Sequence, residues 1–291
     1  MALTIATHSG KFHADDVFAV AALLLIFPDG VAVRTRDEQT IAASDIVVDV
    51  GGIYDETRNR LDHHQIGGAG ARENGIPYAS FGLVWKKFGM QLCSNPVISD
   101  RVDEVLVTPI DANDNGLDLI VPKYSGISPY EVSDAVRAFI PTWLESGLSV
   151  DACFAESVSC AKRIISREIK RAEAAIAGKR EVEKLYAKTP DKRLIVLPED
   201  YSWKETLSKF PEPLFVVHPQ NDTWRLYAVR DNPHQFANRK DLPEAWAGLR
   251  DEEIAKVSGV PDATFVHRNR FMAVAKTKEG ALALAKLALT E

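Results

Sequence analysis

The chain has 291 residues, of which 46% are hydrophobic and 26% charged, with a net charge of −6. At roughly 100–200 residues per domain this length predicts two domains or one large one. The composition is that of a soluble globular protein and excludes a collagen-like, coiled-coil or disordered chain.

Leu3 to Thr7 reads as a short buried strand, and Asp15 to Phe27 as a helix stopped by Pro28-Asp29-Gly30. The apolar run Val17 to Phe27 is eleven residues, far short of the roughly 20 a bilayer needs. It follows Asp15-Asp16, not a basic segment, so neither a signal peptide nor a membrane span is expected. Val31 to Thr35 and Ile46 to Val50 read as two more strands, the latter ending at Gly51-Gly52. Strand–helix–strand order with β-branched runs predicts a mostly parallel sheet covered by helices. Residues 78–89, 96–109 and 129–139 read as further helices. Over 149–188, Phe154, Val158, Ala161, Ile165, Ile169, Ala172 and Ile176 recur at steps of 4, 3, 4, 4, 3 and 4. That is one apolar stripe at helical periodicity, with a break expected near Gly178. After Pro190, strands are expected at 194–197, 214–217, 224–229, 265–267 and 271–275, and an Ala/Leu helix at 279–289. The five tryptophans, Trp85, Trp143, Trp203, Trp224 and Trp246, are expected in the core.

Charge is unevenly placed. Residues 1–120 hold 9 Lys/Arg against 17 Asp/Glu, whereas residues 160–195 hold 11 against 5. An acidic first part suits cations, and a basic segment suits an anion or simply a solvated helix face. Cys93, Cys153 and Cys160 are odd in number and form no CxxC pair, which fits a reducing compartment and a cytoplasmic protein.

Histidines and aspartates fall at predicted strand ends. Residues 7–16 read Thr-His-Ser-Gly-Lys-Phe-His-Ala-Asp-Asp. They place His8, His13, Asp15 and Asp16 where a parallel sheet binds ligands. Imidazoles with a carboxylate suit zinc, manganese or iron. Helix capping explains one Asp of this group but not all four residues. Asp49 closes a buried strand, where a carboxylate is costly to bury unpaired. In Asp62-His63-His64, one imidazole can ligate metal, the other can face substrate, and Asp62 can orient a ring. Asp111 opens Asp-Ala-Asn-Asp-Asn-Gly, which is no calcium loop because Pro122 stands where the twelfth, acidic ligand belongs. It is read as a further acidic ligand. In the last part, Arg225, His267, Arg268 and Arg270 suit phosphate contacts. His218 and His234, each beside a proline, are read as structural or surface residues.

The order His8, His13-Ala-Asp15, Asp49, Asp62-His63-His64, Asp111 resembles the four motifs of the DHH phosphoesterase superfamily. That superfamily includes RecJ exonucleases, oligoribonucleases and manganese-dependent inorganic pyrophosphatases. The stretch from Thr7 to Asp16 resembles one branch, the Myg family, named for a melanocyte proliferating gene. The resemblance runs nearly end to end, including Gly248 to Glu252, Val257 to Pro261 and Phe265-Val266-His267.

The resemblance implies an α/β chain with a DHH-type metal-binding domain over 1–148, a connecting helix over 149–190 and a smaller α+β substrate-binding domain over 191–291. It implies His8, His13, Asp15, Asp49, His63 and Asp111 as metal ligands, with Asp49 bridging two ions. The ions would be manganese, with magnesium or zinc as alternatives. His64 and Asp62 become the catalytic pair, and Arg225, His267, Arg268 and Lys276 the substrate contacts. The implied activity is 3′-to-5′ hydrolysis of RNA or a short oligonucleotide by a water that two metals activate. Two departures stand out. His13 occupies a position where Asp is usual, one residue further from His8. Ala273-Val274-Ala275-Lys276-Thr277 lacks a Gly-Gly pair common in relatives, which implies altered backbone contact to phosphate. The rivals are a small-molecule phosphohydrolase, acting on pyrophosphate or a nucleotide, and a non-enzymatic RNA-binding or regulatory protein. A homo-oligomer is compatible with the sequence.

Overall fold

The computed structural model describes residues 2–291. The chain divides into two compact units, one ending at Ala172 and the other spanning Glu173–Glu291.

In the first unit, β1 (Thr4–Thr7) leads into α1 (Ala14–Ile26), then β2 (Val31–Arg34), α2 (Glu38–Ala43) and β3 (Ile46–Val48). Two short strands follow, β4 (Tyr54–Asp55) and β5 (Arg60–Leu61). The sheet order is β2-β1-β3-β5-β4. All neighbours run parallel except the terminal β4–β5 pair, as expected of a mostly parallel α/β sheet. From Ala14 to Leu23 every residue of α1 is buried. A helix apolar all round must be enclosed, and α1 is packed against α3 (Ser80–Phe88) and α5 (Thr108–Asp114). This enclosure carries the carboxylates Asp15 and Asp16 into the interior with it.

The helix expected over 96–109 is longer and changes its winding. It runs as α4 (Pro96–Val102), a π-helical turn (Asp103–Val107) and then α5. Pro109 lacks the N–H that a regular helix would use there, and a wider turn just before it accommodates the gap. A short α6 (Val132–Arg137) follows. Next comes α7 (Val150–Lys188), 39 residues without interruption at Gly178. Its predicted stripe is inward: Phe154, Val158, Ala161, Ile165, Ile169 and Ala172 are all buried. These belong to the first unit, whereas Val182 is buried among second-unit residues such as Trp203 and Leu207. The helix is thus shared between the units.

The second unit contains β6 (Leu194–Val196), α8 (Lys204–Leu207), β7 (Phe215–Gln220), β8 (Thr223–Ala228), α9 (Asp251–Ser258), β9 (Ala263–Val266), β10 (Met272–Ala275) and α10 (Lys278–Thr290). Its sheet order is β6-β7-β8-β10-β9, antiparallel except for β6–β7. Phe215, Val217, Leu226, Ala228, Ala273 and Ala275 face Ala281, Leu284, Ala285 and Ala288 of α10. Alternate residues must point to the other face. One tryptophan departs from expectation: Trp143 is 91% exposed. It lies beyond α6 outside regular structure, where no element stacks a second layer on it.

Candidate metal centre

The centre forms where β1, β3 and β5 end. His8 follows β1 directly, and its Nδ1 lies 3.3 Å from the Ser9 carbonyl. With Nδ1–H donating there, Nε2 carries the lone pair. That atom lies 3.2 Å from Asp16 Oδ2 and 3.4 Å from Asp49 Oδ2. His8 Nε2 and Asp16 Oδ2 are both buried without a hydrogen-bond partner. With a neutral His8 these are two acceptors side by side, which is costly in a protein interior unless a proton or a cation comes between them. A cation between them would satisfy both, so this donor set fits a divalent metal. Asp16 Oδ1 is otherwise used at the start of α1, accepting from His13 N at 2.7 Å.

Asp49 joins two halves of the centre. It has φ +55, in the left-handed region that non-glycine residues visit mainly at functional or turn positions. One carboxylate oxygen points to His8. The other lies 3.4 Å from His64 Nδ1 and 3.7 Å from His63 Nδ1. Three sets of ligand atoms each lie within 4.8 Å of one another. They are His8, His13, Asp16 and Asp49; Asp49, Asp62, His63 and His64; and Asp15, His63 and Asp114.

Asp62 serves as the organiser of its loop. Its Oδ2 accepts from Gly52 N at 2.6 Å, and its Oδ1 holds His64 Nδ1 at 2.7 Å. The His63 and His64 rings stack 4.3 Å apart. His63 is nearly enclosed, while the His64 side chain is 59% exposed. With Nδ1 tied down, His64 presents Nε2 on the opposite edge of its ring.

Electrostatics agree with crowded carboxylates. Burial pushes Asp16 up to about 7, with Asp49 adding to the shift and His8 opposing it. Burial works against charge on His8, but Asp49 and Asp16 more than offset it and raise its pKa. His63 is raised in the same way, by Asp114 and Asp49 against burial.

Five of the six expected ligands, His8, His13, Asp15, Asp49 and His63, fall within these groups. Asp15 is close to His63, at 3.9 Å, but both its oxygens cap α3 by accepting from Ser80 N and Phe81 N at 2.9 and 2.6 Å. Its neighbour Asp16 is the carboxylate beside His8 and His13. Asp111 stands outside all three groups. Its oxygens accept from Gly82 N at 3.0 Å and Arg72 Nη1 at 2.7 Å. Asp114, one helical turn on, occupies the place beside His63, with Oδ2 3.1 Å from Nε2. The Asp15-Asp16 pair and the Asp111–Asp114 spacing were visible signals, but which member faces the histidines was not.

The expected substrate residues lie in the second unit. Arg225 is on β8, directly opposite His218 of β7. His267 and Arg268 follow β9, and Lys276 follows β10, with Arg268 and Lys276 exposed.

An α/β protein whose parallel strand ends gather imidazoles and carboxylates into adjoining groups is a candidate divalent-metal protein. The chain belongs to the MYG1_exonuc family, described as "Uncharacterised protein family (UPF0160)", whose model matches residues 4–289. It is 32% identical to the human "MYG1 exonuclease" over 99% of this chain and 86% of that protein. It is 33% identical to a "MYG1 protein" of Saccharomyces cerevisiae, over 99% of this chain and 96% of that one. Among solved structures it pairs with RecJ of Thermus thermophilus in complex with Mg2+, at 11% identity and a TM-score of 0.28. The match covers 99% of this chain and 50% of that RecJ.

Proposed function

We propose that this chain is a divalent-metal-dependent exonuclease that hydrolyses RNA or short oligonucleotides from the 3′ end. Its curated relatives include proteins named exonuclease, which supports a hydrolase of phosphodiester bonds. The single observation that carries the metal dependence is the orphaned, buried pair His8 Nε2 and Asp16 Oδ2 beside Asp49.

His8, His13, Asp16 and Asp49 would hold one ion, and Asp15, His63 and Asp114 a second; manganese suits this mixed set. Bound there, such ions supply Lewis acidity and a nucleophile at neutral pH. The chain's own residues do the rest. Asp62 fixes the His64 ring, and His64, when protonated, donates from Nε2 to a phosphate oxygen. Asp15 secures α3, whose Ser80 hydroxyl lies 3.4 Å from Asp49 Oδ1 and 3.3 Å from His63 Nδ1. The three free cysteines support a reducing, cytoplasmic setting. Among the described residues no helix is long and apolar enough to cross a membrane.

The test is digestion of oligoribonucleotides labelled at either end, with manganese, beside pyrophosphate and a chromogenic phosphodiester. Stepwise shortening of the 5′-labelled strand supports the reading. Cleavage of pyrophosphate or mononucleotides alone would transfer it to the small-molecule class. No turnover of any substrate, with metal bound, would favour a binding protein.

A further inference from the structure

The sheet face of the second unit opposite α10 is covered on its β6–β7 side by Val182, Trp203 and Leu207, and a row of rings runs out from under that cover. His218 and Tyr227 stack at 5.5 Å and 7°. Tyr227 and Phe271 follow at 6.3 Å and 24°, and Phe271 and His267 at 4.3 Å. Tyr227, Phe271 and His267 are only half-buried. Beyond Phe271 stands Phe236, 88% exposed.

Cations accompany these rings. Lys204 Nζ lies 5.5 Å from the Tyr227 ring centroid. Arg230 bridges two rings, 5.0 Å from Phe236 and 5.9 Å from Phe271. Lys204, Tyr227, Arg230 and Phe271 together line one small surface pocket. On the same face, Arg225 Nε is buried without a partner. The carboxylates at the margins are already engaged, Asp200 with His218 Nδ1 at 3.2 Å and Asp241 with Arg270 at 2.9 Å.

We propose that the exposed end of this row, Phe271 and Phe236, is a stacking platform for the bases of single-stranded RNA, with Lys204 and Arg230 meeting its phosphates. A partner protein would need matching carboxylates and apolar side chains in register. A single strand offers π-faces and negative charge in every unit, which is what rings with cations beside them recognise. His218 is buried and stacked on Tyr227, so bases would meet the open end of the row, Phe271 and Phe236, with Arg230 beside both rings. The inference rests on the nucleic-acid reading above and names where that substrate is held.

The experiment uses the full chain in EDTA, so that binding is read without hydrolysis. Fluorescence anisotropy measures affinity for a labelled oligoribonucleotide of about ten nucleotides, a length within the usual site sizes, and for an abasic strand of equal length. Phe236→Ala removes an exposed ring and cannot disturb packing. Phe271→Leu keeps apolar volume, and its fold is checked by circular dichroism. Each should weaken binding of the base-bearing strand about 10-fold, while the abasic strand binds weakly and equally to all three proteins. Unchanged affinity in both variants, equal binding of the two strands by the parent, or no binding at all overturns the platform. Manganese-dependent cleavage of a chromogenic phosphodiester by the parent is measured separately, so a dead metal centre and a missing platform give different results.

Discussion

Arg72 Nη1 meets Asp111 Oδ2 at 2.7 Å in a buried ion pair. The same guanidinium clasps Asp103 with bonds of 2.9 and 2.8 Å and lies 4.5 Å over the Tyr78 ring. Asp103 and Asp111 work against burial and hold the Arg72 pKa above its ordinary value. The glycine-rich segment after His63-His64 is thereby tied to the π-turn and to α5. Asp111 meets that segment's arginine and lies outside the three groups of imidazoles and carboxylates.

Removing one partner of a buried pair leaves an uncompensated charge. Arg72→Met should therefore lower stability by about 3 kcal/mol, read as a shift of the urea midpoint. Asp114→Asn should reduce bound manganese, and Asp111→Asn should not. Elemental analysis of the dialysed variants decides between the two aspartates, and equal metal loss would contradict the placement.

Asp49 faces His8 on one side and His63 and His64 on the other. Asp49→Ala should abolish both metal retention and hydrolysis, while the parent should hold about two ions per chain, as in two-metal hydrolases. His64→Ala should lower turnover with metal occupancy intact, because His64 is exposed and tied to Asp62. Matching metal loss in the two variants would remove the distinction.

Asp16, His8 and His63 all bind protons more tightly in the folded, metal-free chain than in the unfolded one. The folded state then holds more protons, so stability falls as pH rises through the folded pKa values. For Asp16 the window closes near 7. The chelated protein should thus melt at a lower temperature at pH 8 than at pH 6. Manganese should raise the melting temperature more at pH 8, where fewer protons compete for the ligands. A metal-free melting temperature that climbs over this range would refute the linkage.

Gly82 lets Asp111 approach α3. A Cβ there would stand 1.9 Å from Asp111 Oδ2 and 3.0 Å from Arg72 Nη2. Gly82→Ala should cost about 1–3 kcal/mol as an overpacked site, measured by chemical denaturation. Full stability would show that the carboxylate can move aside.

On α7, Arg167, Lys170 and Arg171 lie exposed off the buried stripe, with Arg171 paired to Glu168 at 2.7 Å. If they contact a polyanion, replacing all three by Ala should weaken oligonucleotide binding and flatten its dependence on salt. An unchanged salt slope would assign them to solvation of the helix.

Much of this architecture is legible in the sequence because continuous apolar runs and a 3.6-residue stripe encode burial directly. β1, α1, β3 and α7 follow from such patterns, and so do the places of His8 and Asp49, which sit where β1 and β3 end. The two-residue strands β4 and β5 carry no pattern long enough to read. Tertiary structure alone decided the finer choices. Asp15 and Asp16 are adjacent on one helix, so about 100° of rotation per residue sends one to cap α3 and the other to His8. Asp111 and Asp114 lie on one helix, and the choice between them depends on Arg72, which the chain brings from 39 positions away. The ring row of His218, Tyr227, Phe271 and His267 likewise exists only once β7, β8 and β10 pair in register. Local sequence dictates which residues are buried, and long-range pairing dictates which buried groups meet.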